Sequence, residues 1–184
     1  MNSRSRTYVA LLFSIGIGDG RRLLMADWRT MMEEIGLNQP RTLIATGNAV
    51  FATHETSARR LEREPARRGI QTAVRVPGRH DRADCRGVSA HVKGKPFPEE
   101  SARNGSRVLV WIMREPLADA AVELKHYLTQ GERIQVVRGD LWVHFQEDPN
   151  RSRLMPVLGS KRLGIGTVRN WNTVRRLGAM VEPS

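Results

Sequence analysis

The order in which residue periodicities change along this chain constrains its fold more than any single motif does. TYVALLF (7–13) is β-branched, aromatic and apolar, the content of a buried strand, and a Gly-rich turn, SIGIGDGRR, ends it. MADWRTMMEEI (25–35) then shifts to helical spacing: Met25, Trp28, Met32 and Ile35 fall three and four apart on one face, and Gly36 stands at the stop position. RTLIATGNAVFAT (41–53) returns to strand content as two short runs about Gly47-Asn48, residue types that tolerate the positive φ of a tight hairpin.

The same order then comes back. RVLVWIM (107–113) reads as a strand, and LADAAVELKHYL (117–128) as a helix with Leu117, Ala121, Leu124 and Leu128 on one face. ERIQVVRGDLWVHF (132–145) reads as a hairpin turning at Gly139-Asp140. The repeat is one of architecture, because the residues themselves are not copied. A strand–helix–hairpin unit needs a further helix to cover its sheet. Two such units in succession predict an α+β chain of two ferredoxin-like (α-β plait) halves packed together, with antiparallel sheets covered by helices. The halves are expected at 1–94 and 95–184, with 151–163 and 170–181 as closing helices of the second.

One stretch fits this pattern poorly. In 63–94 only QTAVRV has strand content, Pro65 and Pro77 interrupt any helix, and Arg, Gly and His replace apolar periodicity. Such a composition is what a GC-rich gene yields when read out of frame, so a pair of compensating frameshifts is the expectation here. It bears directly on charge. The chain carries a net +11, yet eleven basic and four acidic residues between Arg59 and Lys95 supply +7 of it. The basicity is therefore mostly one atypical segment, and on that reading it does not report a nucleic-acid partner.

At 184 residues and 40% hydrophobic content the chain has material for one sizeable core or two small domains. No apolar run approaches the ~18 residues that span a bilayer. Arg4 and Arg6 precede a short apolar stretch that lacks a small-residue cleavage pattern, so it reads as a first strand and a cytoplasmic protein is expected. Cys85 is the single cysteine, which permits no internal disulfide. His54, His80, His91, His126 and His144 make no H-E-x-x-H and do not pair with Cys85 at ligand spacing, so no metal site is expected.

The opening YVALL with its Gly-rich loop and MADWRTMMEEIGL, the block RTLIATGNAVF and the tail GTVRNWNTV together resemble the bacterial family called domain of unknown function 1697. The resemblance covers most of 7–58 and 95–181, and it implies a fold of paired ferredoxin-like units with no established activity, substrate or cofactor. Members often carry an arginine and an asparagine in the first loop, where this chain has Phe13 and Gly16. Thr46-Gly47-Asn48 and Arg169-Asn170-Trp171 match the family.

Three places have the chemistry of an anion site. The loop from Gly16 to Arg22 joins a strand to a helix, where backbone N–H groups and the helix dipole receive phosphate or carboxylate; Gly18 allows close approach, while Arg21 and Arg22 add charge. Its spacing is not G-x-G-x-x-G, no P-loop occurs, and no cofactor is expected. Gly47 and Asn48 offer a turn with a carboxamide. In the tail, Asn170 fits a helix N-cap with Trp171, Val174 and Leu177 on one inward face, which leaves Arg169, Asn172, Thr173, Arg175 and Arg176 as a polar girdle.

No catalytic set is legible. A serine elbow G-x-S-x-G is missing, and the pairs Glu33–Glu34, Glu99–Glu100 and Glu147–Asp148 are neighbours that diverge on a helix or loop surface. Trp111, Trp142 and Phe145 lie on strands without an RNP pattern, so core packing is their expected role. The leading expectation is a cytoplasmic protein that binds an anionic small molecule (phosphate, nucleotide or carboxylate) through Gly18, Arg21, Arg22, Gly47, Asn48, Arg169, Asn170 and Trp171. A nucleic-acid module using the basic rim of Arg151, Arg153, Lys161 and Arg162 comes second. An enzyme acting on a phosphorylated small molecule comes third.

Overall fold

Strand β1 (Arg6–Leu12) is the centre about which the first half is built. The structure, a computed structural model, describes residues 6–12, 23–44, 47–54, 72–75, 94–113, 115–117, 124–129, 131–159 and 163–181. β1 pairs antiparallel with β3 (Asn48–Thr53) on one side and β4 (Thr72–Arg75) on the other, while β2 (Asn38–Leu43) pairs with β3. The sheet order is β2-β3-β1-β4. Successive β1 side chains alternate faces, and both sets are buried: Tyr8, Ala10 and Leu12 join one cluster, and Val9 and Leu11 are buried on the opposite side. That double burial is why TYVALL reads as an unbroken apolar run rather than an alternation.

Helix α1 (Met25–Glu34) covers the Tyr8 face with Trp28, Met31 and Met32, while Met25 and Ile35 pack at its margin. Its end is fixed by Gly36 at φ +83: Gly36 N–H donates to the Glu33 carbonyl at 2.9 Å and Leu37 N–H to the Met32 carbonyl at 3.0 Å, the paired bonds of a Schellman stop.

The second half repeats the connectivity with different residues. β5 (Val108–Met113) is flanked by β7 (Asp140–His144) and β8 (Gly166–Asn170), and β6 (Arg133–Val137) adds outside β7, giving the order β6-β7-β5-β8 with every neighbour antiparallel. Trp111, Met113, Leu141, Val143 and Phe145 form its core with Leu154 and Leu158 of α3 (Leu154–Gly159). A short helix α2 (Pro98–Arg103) precedes β5, and α4 (Trp171–Val181) follows β8. Of the helix expected at 117–128, residues 118–123 lie outside the described residues; Leu117 and Leu124 are buried in the core, and Lys125–Tyr127 is a 3₁₀ turn.

Three expectations shift in detail. The second hairpin turns at Arg138-Gly139, both at positive φ, and Asp140 is the first residue of β7. In the first hairpin Leu43 pairs with Asn48, so Asn48 belongs to β3. The tail begins with a strand, β8, that its polar residues concealed.

The contacts divide the chain into two compact units, Met1–Ala90 with Leu177–Ser184, and His91–Arg176. Most of 63–94 lies outside the described residues, apart from β4 within QTAVRV. Among the described residues no helix is long and apolar enough to cross a membrane.

Candidate functional site

The tail is built on β8, an edge strand whose register with β5 sets Arg169 opposite Val110 and Thr167 opposite Ile112. Period-two alternation puts Thr167 and Arg169 on one face and Val168 on the face of the core cluster. Both polar residues are buried, Arg169 with 8% of its surface exposed. Its Nη1 donates to Thr167 Oγ1 at 2.6 Å and to the Val168 carbonyl at 2.7 Å. Burial disfavours the charged guanidinium and lowers its pKa to about 10, which still leaves it cationic near neutrality.

Asn170 ends β8 and caps α4. Its Oδ1 accepts from Thr173 N–H at 3.0 Å and from Thr173 Oγ1 at 3.0 Å, which is the capping role that its position before the apolar face predicts. Trp171 is buried as the helix's first anchor. Its ring lies 5.8 Å from that of Trp142 at 41°, Lys95 Nζ sits 5.3 Å from the ring centroid, and the Trp171 backbone N–H donates to the Gly105 carbonyl at 3.1 Å. Packing thus accounts for Trp171 and capping for Asn170, and of the three only Arg169 carries charge into the interior.

Gly47 and Asn48 sit in the first unit, where they close the β2–β3 loop against the end of β1. The Gly47 carbonyl accepts from Leu12 N–H at 2.8 Å, and the φ of +74 at Gly47 is one that side chains resist. Asn48 is fully buried, and its Nδ2 donates across the loop to the Leu43 carbonyl at 3.1 Å. Both therefore have a structural task in the hairpin. Gly18, Arg21 and Arg22 lie outside the described residues.

Sequence reasoning missed a second polar cluster, on the β6–β7 end of the second sheet. Phe97, buried just before α2, lies 6.0 Å from the His144 ring and 5.1 Å from Arg133 Cζ, and Arg133 forms an ion pair with Glu100. Asp140 was also missed as a buried residue: its Oδ1 accepts from Met113 N–H at 2.8 Å. The signal for His144 was available, since it alternates with Trp142 along β7 and so shares a face with a buried ring. Trp111, Trp142 and Phe145 are buried, so none presents a face for stacking bases. Among the described residues no three His, Cys, Asp or Glu side chains are grouped to hold a metal ion.

Two antiparallel four-stranded sheets with helices define an α+β protein. The chain belongs to the family described as Protein of unknown function (DUF1697), whose model matches residues 5–142. The match runs through the atypical 63–94 stretch and stops before the tail, so the first three-quarters of the chain carry the membership. Among solved structures it is similar to the conserved bacterial protein SP0830 from Streptococcus pneumoniae, at 17% identity and a TM-score of 0.69, covering 97% of this chain and all of that one. At that identity the likeness concerns the fold. No curated protein matches the sequence.

Proposed function

We propose that this chain is a cytoplasmic protein of two ferredoxin-like halves that binds an anionic small molecule, with Arg169 as the charged element of the site. The fold part of the reading is supported by the strand orders. In each sheet the first strand of the unit is central, flanked by the third and fourth, with the second outside the third, which is the α-β plait arrangement.

The binding part rests on one observation, the burial of Arg169 between Thr167 Oγ1 and the Val168 carbonyl. These two contacts fix the direction of the guanidinium. A guanidinium is the side chain best matched to phosphate or carboxylate, whose two oxygens it can take in parallel. Arg169 lies immediately before the α4 cap, so the first N–H groups of that helix add partial positive charge nearby. Gly18, Arg21 and Arg22 support the reading only through the chemistry of their own loop.

The test is a thermal-shift screen of inorganic phosphate, nucleotides and small carboxylates on the native chain and on Arg169→Ala. A saturable rise in Tm with one class, lost in the variant, is expected; at a hundredfold excess over Kd the stabilisation is about 2.7 kcal/mol. Equal shifts in both proteins, or none with any class, would sink the proposal. Binding of mixed-sequence nucleic acid that weakens steeply with salt would instead favour the exposed Arg151 and Arg153 rim.

A further inference from the structure

His144 stands at the end of β7, opposite Val108 of β5 and Arg133 of β6, and is the place where the Lys95–Arg103 segment meets the sheet. Phe97, 5% exposed, packs against the imidazole, and the Arg133 guanidinium lies over its ring. Helix α2 starts from that phenylalanine, with Ser101 N–H donating to the Phe97 carbonyl at 2.9 Å, and Glu100 of the same helix pairs with Arg133. Lys95 continues the segment onto the Trp171 ring. One aromatic wedge therefore anchors the run of chain that leads into β5.

The imidazole makes this anchor conditional. His144 Nδ1 is buried and has no hydrogen-bond partner among the described residues. While neutral, with its proton on Nε2, the ring presents only a bare acceptor there. Protonation turns Nδ1 into a charged donor with nothing among the described residues to receive it, which is far more costly. The charged groups around the ring point the same way: Arg133 from β6 and Arg107 from the turn before β5 are cationic, and Glu100 from α2 is engaged by Arg133. We propose that His144 and Phe97 form an acid-sensitive latch, which holds the Lys95–Arg103 segment on the β6–β7 end of the second sheet while the imidazole is neutral and releases it on protonation.

Burial, then Arg133, then Arg107 hold the folded-state pKa of His144 below its usual 6.5. The imidazole left uncovered once the segment is released takes a proton more readily than the latched one. The latch is therefore at full strength above roughly pH 6.5 and weakens as pH falls through the lower folded value. The direction is closed at neutrality and open in acid.

Hydrogen–deuterium exchange on the intact chain reads this directly. Corrected for intrinsic rates, protection of the peptide covering 95–105 is expected to drop about tenfold between about pH 7.5 and about pH 5, with β5 and β7 unchanged. In His144→Phe, which keeps the aromatic contact and cannot take a proton, protection is expected to be independent of pH. Protection that ignores pH in the native chain, or the same acid loss in His144→Phe, overturns the latch. Because that variant could fail to fold, an NMR titration of the native chain gives a second readout. The His144 imidazole is expected to titrate below 6.5 with the Phe97 ring signals following its midpoint; a higher midpoint, or Phe97 signals that do not follow, also overturns it.

Discussion

At the scale of single residues, two glycines separate a backbone cost from a packing cost. Gly36 has φ +83, and a Cβ built there meets nothing within 4 Å, so Gly36→Ala is expected to cost only the left-handed conformation, about 1 kcal/mol. Gly47 has φ +74, and its Cβ would lie 2.6 Å from the Leu12 Cβ, inside the β1 side of the core. Gly47→Ala must displace that leucine as well and is expected to cost about 3 kcal/mol. Urea unfolding of both variants checks the ranking, and an equal loss would mean that Leu12 yields freely. Arg169 poses the opposite test, because its burial disfavours the charged state. Arg169→Met fills similar space without a charge, and Tm is expected to hold within about 2 °C or to rise. A fall beyond about 5 °C would show that the guanidinium serves the fold and not a ligand.

At the scale of elements, α4 depends on how it starts. Asn170 Oδ1 serves two donors of Thr173, so Asn170→Ala is expected to lose about 1 kcal/mol, while Asn170→Asp, which keeps an acceptor at the same place, loses little. Equal losses in thermal denaturation would mean that something other than the cap is at work. This cap was legible in the sequence because a helix start leaves orphan N–H groups that only a few side chains satisfy. Strand β1 and helix α1 were legible for a similar reason, since the Trp28 face and the TYVALL run are patterns that burial alone produces. Strand β8 was not, because Thr167 and Arg169 occupy its second buried face, and two polar residues there erase the apolar alternation that marks a strand. Asp140 misled in the same way. A Gly-Asp pair is a common turn signal, yet the aspartate is spent on Met113 N–H, and Arg138 takes the left-handed position instead. The tail suffers most from this, since Thr167 and Arg169 are polar in pattern and buried in fact.

At the scale of the whole molecule, α4 belongs to both compact units, which divide between Arg176 and Leu177. Trp171 and Val174 are buried in the part that groups with His91–Arg176. Leu177 and Val181 are buried in the part that groups with Met1–Ala90, and there Arg41 Nη2 donates to the Met180 carbonyl at 2.8 Å. Ending the chain after Arg176 removes two buried apolar side chains, worth about 3–6 kcal/mol by area, together with the acceptor for Arg41. Against a typical total of about 5–15 kcal/mol that loss is large without being certain to unfold the protein. It is also directional. β2, which carries Arg41, is expected to lose hydrogen-exchange protection, whereas β7 and β8 keep theirs, because the Trp142–Trp171 contact and the Asn170 cap both remain. Equal loss across both sheets would mean that the two units unfold as one. Loss confined to β7 and β8 would mean that the end of α4 serves the second unit.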